Sequence, residues 1–457
     1  MPKNKLLISD FKILERIVKP SNIYNIYHFR PLTGVSIDSR SIKRGEIFIA
    51  IKGKHHDGHK FIKKAIDKGA ALVIAQQYLP INSKVPFFVV EDTYEAIKAI
   101  ATYIRKIKKP FVYAITGSIG KTTTKEMLNF LLADNFTVLK NEKTENNILG
   151  VAKTIFSLKD EKILILELGT NAKGEIESLA KMCTPDVGII TFIKPVHLEG
   201  LGSLSDVRDE KLSLLGVNSK MKVILNRDDP ILSKVKTKHK VYWFGKANNN
   251  YIFARLIRRG GKESVFRVQE KYELKLASYL EPFISNVLAA VSAASLAGLP
   301  LKGLIEGMNQ FKGHLPMRMQ MQKVKGFSIL NDAYNANPHS FYRVFQALEN
   351  YPFKKIAVVA DMLELGRKSI YYHKQLAPWL IKGDFDYCLT FGDYSSYLAK
   401  RLQKLGYRGV FHFSSHKAIA SFINERIGTS IKRKKRYLIF LKGSRKMELE
   451  KVIRYLK

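Results

Sequence analysis

Ile115-Thr-Gly-Ser-Ile-Gly-Lys-Thr-Thr-Thr124 decides how this chain is read. It follows an apolar, strand-like run (111–115) and precedes a helix-like segment (125–132). Strand, glycine loop and helix in that order aim backbone N–H groups and a helix N-terminus at one point, as a polyphosphate requires. In this pattern Lys121 reaches the outer phosphates and the Thr122 hydroxyl is a ligand for Mg²⁺. The general pattern has a glycine six residues before the lysine, where this chain has Ile115. The loop opens instead at Gly117 and is shorter.

Outward from the loop, the chain reads as a series of strands and helices. Residues 1–108 alternate β-rich runs (47–51, 71–75, 87–90) with helical ones (61–68, 93–106), and Lys106-Ile-Lys-Lys-Pro110 reads as a linker. After the loop come buried-strand runs at 163–167, 187–191 and 223–226, the pattern of a mostly parallel sheet. Beyond Gly313-His-Leu-Pro316 a third series has strands at 328–331, 356–360, 387–391 and 437–441. No internal repeat is evident. The expected fold class is α/β in three domains: 1–108, a central phosphate-loop ATPase-like domain over 109–315, and a Rossmann-like C-terminal domain over 316–457.

Composition fits that size. A chain of 457 residues, 46% of them hydrophobic, exceeds a single core and can fill several. Residues 1–20 mix charges throughout, so no signal peptide is expected. The most apolar helical run, 287–299, is too short to span a bilayer, so no membrane span is expected. Cys183 and Cys388 stand far apart with no metal-ligand spacing, which suits a reduced cytoplasmic setting. The net charge of +37 suits a polyanion partner, or else a lysine bias spread over solvated faces. The scatter of basic residues favours the second. The densest run, Lys432-Arg-Lys-Lys-Arg436, reads as a charged turn before a strand, and no RNA-binding signature accompanies it.

Several strand ends carry polar residues suited to chemistry. Glu167 closes the run 163–167, where a carboxylate beside a phosphate loop can hold Mg²⁺ or simply cap a turn. His197 lies just past the run 187–191, where it can be a ligand or a satisfied structural histidine. Lys211 is one among 77 Lys and Arg residues, and composition alone reads it as a solvated surface charge. Asn331-Asp-Ala-Tyr-Asn-Ala-Asn-Pro-His339 suits a strand-to-helix turn and equally a polar ligand surface built on Asp332, Asn335 and Asn337. Leu441-Lys-Gly-Ser-Arg445 offers a cation after the last strand, fit for a carboxylate or phosphate, or a plain turn.

Together these segments resemble the Mur ligases over nearly the whole chain. The resemblance rests on Val35-Ser-Ile-Asp-Ser-Arg40, Lys43-Arg-Gly-Glu-Ile-Phe-Ile-Ala-Ile-Lys-Gly53 and Asp57-Gly-His59 in the first domain. In the second it rests on the short loop Thr116–Thr123, Asn146-Asn147, Glu167 and Pro195-Val-His-Leu-Glu-Gly-Leu-Gly-Ser203. In the third it rests on Tyr334-Asn-Ala-Asn-Pro338, Asp361-Met-Leu-Glu-Leu-Gly366 and Lys442-Gly-Ser-Arg445. The Tyr-Asn-Ala-Asn-Pro and Asp-Met-Leu-Glu-Leu-Gly strings point to the D-alanyl-D-alanine-adding branch.

The resemblance implies an ATP- and Mg²⁺-dependent amide ligase of peptidoglycan precursor synthesis. It would join D-alanyl-D-alanine to a UDP-N-acetylmuramoyl-tripeptide through an acyl phosphate. The first domain would bind the UDP substrate at Ser39 and Arg40. Thr116, Gly117, Ser118, Gly120, Lys121, Thr122 and Thr123 would bind ATP, with Asn286 at the adenine and Arg318 and Asp332 reaching it from the third domain. Thr122, Glu167, His197 and a carbamylated Lys211 would hold the metal. Catalysis would rest on Lys121, Glu167, His197 and Lys211. Asn147, Asn335, Asn337 and Arg445 would face the substrates. A monomer that binds no nucleic acid is expected.

Against the family pattern, Thr191-Phe192 replaces an Asn pair and Pro282-Phe283 a His-Asn. Met317, Ala360 and Lys446 each replace a glycine. Two other readings stay open. One is another amide ligase of the superfamily: an amino-acid-adding Mur ligase, a folylpolyglutamate synthase, or a ligase for a different cell-wall peptide such as pseudomurein. The other is a non-catalytic basic phosphate-loop protein that binds nucleic acid.

Overall fold

The structure, a computed structural model, describes residues 8, 10–53, 56–81, 83–142, 145–196, 198–312, 317–363, 365–428 and 431–457, without the side chains of residues 198, 199 and 431. The chain divides into two compact units, Met1–Trp243 and Phe244–Lys457.

The first unit holds two sheets. β1 (Asn22–Tyr24), β2 (Gly34–Ser36), β3 (Glu46–Ile49), β4 (Leu72–Ala75) and β5 (Phe87–Val89) form a sheet in the order β1-β5-β4-β3-β2, parallel except at the edge strand β1. β3, β4 and β5 are runs of buried Ile, Leu, Val and Phe, so the sequence displays them as continuous apolar stretches. β1 and β2, three residues each and mostly outside the core, give no such signal.

Five strands of the second sheet, β6 (Phe111–Thr116), β7 (Val138–Lys140), β8 (Ile163–Glu167), β9 (Val187–Ile190) and β10 (Lys222–Asn226), are all parallel in the order β10-β9-β6-β8-β7. β6 therefore lies between β8 and β9, with Ile115 opposite Glu167 and Thr116 opposite Ile190. The C-terminal tips of the three strands open onto one edge, the place where open α/β sheets bind ligands.

Two helix boundaries differ from the sequence reading. The helix Thr93–Lys108 runs through most of the expected 106–110 linker, leaving only Lys109-Pro110. Arg105, Lys106 and Lys108 in its last turn suit the negative end of the helix dipole, and left-handed Lys109 (φ 49°) returns its N–H to the Arg105 carbonyl. The phosphate-loop helix starts at Lys121, not 125, because Gly120 (φ 85°) turns the chain straight into it.

In the second unit β11 (Val241–Gly245), which carries the chain across the division, aligns Phe244 with Ile252 of β12 (Ile252–Arg259) in parallel. β12 continues into an antiparallel meander with β13 (Glu263–Val268) and β14 (Tyr272–Ala277). No strand was expected over 252–277. The last five residues of β12 are exposed and mostly arginine, and a shift of register between Leu256 and Arg258 breaks the alternation that would have revealed a strand.

The third sheet follows: β15 (Gln320–Val324), β16 (Phe327–Asp332), β17 (Lys354–Ala360), β18 (Tyr387–Phe391), β19 (Val410–Phe413) and β20 (Tyr437–Lys442), ordered β15-β16-β20-β17-β18-β19. Only the β15–β16 hairpin is antiparallel. Three sheets, each flanked by helices, meet the expectation of a three-domain α/β chain. Among the described residues no helix is long and apolar enough to cross a membrane.

Basic residues are not confined to solvated faces. Lys125, Lys211, Lys355, Lys434 and Lys442 are buried. The 432–436 run is not a plain turn either, since it includes a short helix, Ile431–Lys434. Lys434 folds inward to donate to the carbonyls of Lys325 and Lys457, which compensates the cost of burying an ammonium.

Candidate active site

The phosphate loop is bolted to both neighbouring strand tips. Thr116 Oγ1 donates to the Leu168 carbonyl at 3.0 Å, just past β8. Ser118 Oγ donates to the Lys194 carbonyl (2.8 Å) and accepts from the Lys194 N–H (2.9 Å), past β9. Thr191 Oγ1 donates to the Ile119 carbonyl at 2.6 Å. So Thr191, one of the departures from the family pattern, is a loop-holding residue here. Gly117 (φ 137°) has no room for a side chain: a Cβ there would lie 2.2 Å from Thr191 Oγ1. The loop is thus short and pre-set, with Thr123 buried beneath it and Lys121 Nζ folded onto the Gly117 carbonyl at 2.7 Å.

Glu167, the last residue of β8, is buried and directed at the loop. Thr122 Oγ1 donates to its Oε2 at 2.7 Å and Asn146 Nδ2 to its Oε1 at 3.0 Å. A hydroxyl and a carboxylate side by side are hard oxygen donors of the kind Mg²⁺ takes, so the residues present fit that ion.

Lys211 overturns the composition-based expectation of a surface charge. It lies on the helix Leu204–Leu212, only 1% exposed, and among the described residues its ammonium makes no hydrogen bond or ion pair. Burial, with the Lys121 charge second, pulls its pKa down from 10.5 to about 7, against the opposing pull of Glu210, Glu175 and Glu167. A large part of the population at neutral pH is therefore free amine. Glu210 beside it receives the Gly174 and Ile176 N–H groups (2.6 and 2.8 Å), tying this helix to the start of Glu175–Cys183. His197, expected as a further ligand, lies outside the described residues.

Ser39, Arg40 and Asn147 line one cavity of about 1540 Å³ in the first unit. Its wall also carries Lys43, Arg44, Lys64 and Lys159, a basic surface suited to an anionic ligand. Ser39 is buried. Arg40 grips Asp38 with Nε and Nη2, one edge of its guanidinium (2.8–3.1 Å), which holds that carboxyl down to about 2. Asn147 caps the helix Ile148–Phe156 by accepting the Gly150 N–H at 2.9 Å.

In the second unit, β16 and β20 lie side by side with Asp332 opposite Lys442. The two residues form a buried ion pair, and Asp332 also accepts the Met319 N–H at 3.1 Å. Lys442 Nζ reaches on to the Asn335 carbonyl (3.1 Å), while Asn335 Oδ1 accepts the Ala336 N–H. Asn337 caps the helix Pro338–Leu348 through a reciprocal box with Ser340. The Arg318 guanidinium stacks 4.0 Å from the Tyr334 ring centre, and Met317 keeps a left-handed backbone (φ 54°) where the family pattern has glycine. Arg445 pairs with Glu450 at 2.6 Å. Asn286 is buried in the first turn of Ile284–Ser295.

Lys125, Asn141, Glu210 and the pairing role of Lys442 were not read from the sequence. One signal was present: Lys125, Leu128 and Leu132 fall on one face of the phosphate-loop helix, so Lys125 shares the buried stripe.

A parallel sheet that gathers a short glycine loop and a metal-suited carboxylate at its strand tips, with a buried lysine on a helix close enough to feel their charges, defines a phosphate-loop nucleotide-binding enzyme. The chain belongs to the Mur ligase family. Models of that family match in order: the Mur ligase family catalytic domain over 31–114, the Mur ligase middle domain over 115–294, and the Mur ligase glutamate ligase domain over 317–445. The UDP-N-acetylmuramoyl-tripeptide–D-alanyl-D-alanine ligase of Buchnera aphidicola subsp. Baizongia pistaciae is 31% identical, with 98% of this chain and 97% of that one covered. A crystal structure of MurF from Acinetobacter baumannii aligns at TM-score 0.85 and 26% identity, covering 97% and 98% of the two chains. The MurF ligase from Thermotoga maritima in complex with ADP aligns at TM-score 0.80 and 27% identity, covering 92% and 96%.

Proposed function

We propose that this protein is the ATP-dependent ligase that adds D-alanyl-D-alanine to a UDP-N-acetylmuramoyl-tripeptide in peptidoglycan precursor synthesis. The observation that carries the reading is the pairing of Thr122 with Glu167 at the phosphate loop, beside a buried Lys211. A nucleotide-binding module without catalysis has no use for a costly buried amine at that place. The full-length relatives named for this activity support the choice of substrates over those of other superfamily ligases.

In this reading the loop N–H groups and Lys121 hold the β- and γ-phosphates. The terminal peptide carboxylate attacks the γ-phosphorus and ADP leaves. The amine of D-alanyl-D-alanine then attacks the acyl phosphate carbonyl, loses a proton, and inorganic phosphate departs. No protein nucleophile takes part, so the chain contributes positioning and charge neutralisation. Thr122, Glu167 and His197 would hold Mg²⁺, whose role when bound is to neutralise phosphate charge.

Lys211 as free amine can add CO₂, losing a proton to give a carbamate. The carbamate is an anion that attracts Mg²⁺, at a position where the protonated amine would repel it. Ser39, Arg40 and Asn147 would receive the UDP-linked substrate in the basic cavity. Asn286, Arg318 and Asp332 would serve the nucleotide, and Asn335, Asn337 and Arg445 the dipeptide. The enzyme is taken to be a cytoplasmic monomer.

The test is phosphate release from Mg-ATP with the UDP-linked tripeptide, with and without D-alanyl-D-alanine. Turnover should require the dipeptide, and Lys121→Ala should lower it by at least about 10²-fold. Turnover indifferent to the dipeptide, or a preference for a free amino acid, would defeat this assignment.

A further inference from the structure

Behind Glu167 lies a second layer of fully buried side chains, Lys125 and Asn141. Asn141 is fully buried immediately after β7. Its amide clasps the peptide groups of Glu167: Oδ1 accepts the Glu167 N–H at 2.9 Å and Nδ2 donates to the Glu167 carbonyl at 3.0 Å. The same Nδ2 donates to the Glu145 carbonyl at 2.8 Å. The β7–β8 ladder pairs Lys140 with Ile165 and extends only to a long 3.4 Å bond from the Asn141 N–H. Beyond it the Asn141 side chain makes the bonds to the Glu167 backbone that a neighbouring strand would make. On the opposite side β6 holds the same residue, with Ile115 opposite Glu167. Glu167 is therefore clamped on both sides of its backbone.

Asn141 is itself pinned. Lys125, fully buried one helical turn after Lys121, donates its ammonium to the Asn141 carbonyl at 2.5 Å and lies 3.5 Å from Glu126. Burial lowers its pKa, and the charges of Glu167 and Glu126 pull it back up. A buried ammonium is costly unless paired, and Met or Leu would fill this site on an apolar helix face more cheaply. The cost is understandable if the position of Glu167 depends on it.

We infer that Lys125 and Asn141 are positioning residues for Glu167, setting the affinity of the divalent-cation site without touching nucleotide or substrate. The inference rests on Glu167 being a metal ligand, as proposed above. Residues that orient metal ligands from behind typically govern affinity by 10- to 100-fold.

The experiment is a Mn²⁺ titration, followed by electron paramagnetic resonance, of the full chain saturated with a non-hydrolysable ATP analogue. Thermal midpoints and steady-state constants are measured alongside. Lys125→Met and Asn141→Ala should each weaken Mn²⁺ binding at least roughly tenfold, and the double variant no more than the worse single one. Lys125→Met should also leave the KM for the UDP-linked substrate unchanged while kcat falls. Should Lys125→Met not fold, Asn141→Ala, which removes no charge, carries the same test. Wild-type Mn²⁺ affinity in variants that only melt lower overturns the inference. Glu167→Gln is the separating control: if it too binds Mn²⁺ normally, the assignment of Glu167 as a ligand falls as well. If it does not, the inference alone is lost.

Discussion

The strand tips around the phosphate loop and those at the end of β16 and β20 are stocked with the same kinds of residue, yet their charges are treated in opposite ways. Around the loop, among the described residues, Lys211 is buried with no ion-pair partner and the Glu167 carboxylate accepts from the neutral groups of Thr122 and Asn146. At β16 and β20 the polar atoms answer one another: Asp332 is paired with Lys442, and Asn337 is used by a helix end. Uncompensated charge raises the energy of the fold and lowers that of a bound ion or phosphate. Compensated charge does the reverse. The first region thus keeps polar groups open to a ligand, while in the second any ligand must compete with partners the chain itself supplies.

The strongest way to break this contrast is Lys211→Met. Turnover should fall on the order of 10²–10³-fold, as when one preorganised electrostatic group is removed from a reacting centre. Stability should rise. With a folded-state pKa of about 7 against 10.5, the burial penalty is whole below pH 7, shrinks as pH climbs between those values, and is gone above them. In CO₂-free buffer the gain should be on the order of 4 kcal/mol near pH 6 and dwindle towards pH 10, read by denaturant unfolding at several pH values. A variant that is both inactive and less stable at pH 6 would show that Lys211 supports the fold, and the contrast would collapse.

Asp332→Asn probes the other side. Losing one partner of a buried pair leaves Lys442 uncompensated, at a cost of about 3–5 kcal/mol. Unfolding should therefore shift strongly, opposite in sign to Lys211→Met. If Asp332→Asn keeps its stability and loses nucleotide affinity instead, its carboxylate serves a ligand before it serves the fold.

The same contrast explains what the sequence could reveal. The central strands and the glycine loop are legible because buried parallel strands and phosphate loops follow strict residue-type rules. The place of Glu167 at a strand tip beside the loop was legible, and its role there was open between ligand and cap. Burial of Lys211 was not, since one lysine among 77 basic residues carries no mark of its surroundings, and only likeness to a family singled it out. Asn141 was hidden for another reason. It replaces a strand pairing with a side chain, and its partner is 26 residues away. β12 to β14 were missed because arginines on an exposed strand end read as loop. Met317 shows the converse: a left-handed position normally marked by glycine is held here by a residue that gives no such sign.

Asn337 gives the finest division between the two regions. The string Tyr334-Asn-Ala-Asn-Pro338 suits a turn and a ligand surface equally, and here Asn337 Oδ1 accepts the Ser340 N–H at 2.9 Å as a helix cap. If the cap is its whole role, Asn337→Ala should cost about 1 kcal/mol of stability and leave the KM for D-alanyl-D-alanine unchanged. Asn337→Asp keeps the acceptor and should restore the stability. Because Asp lacks the Nδ2 donor, that variant also separates the roles. A raised dipeptide KM in a stably capped Asn337→Asp would mean that the free amide N–H₂ faces the substrate, and that this turn shares in the ligand-directed design of the phosphate loop.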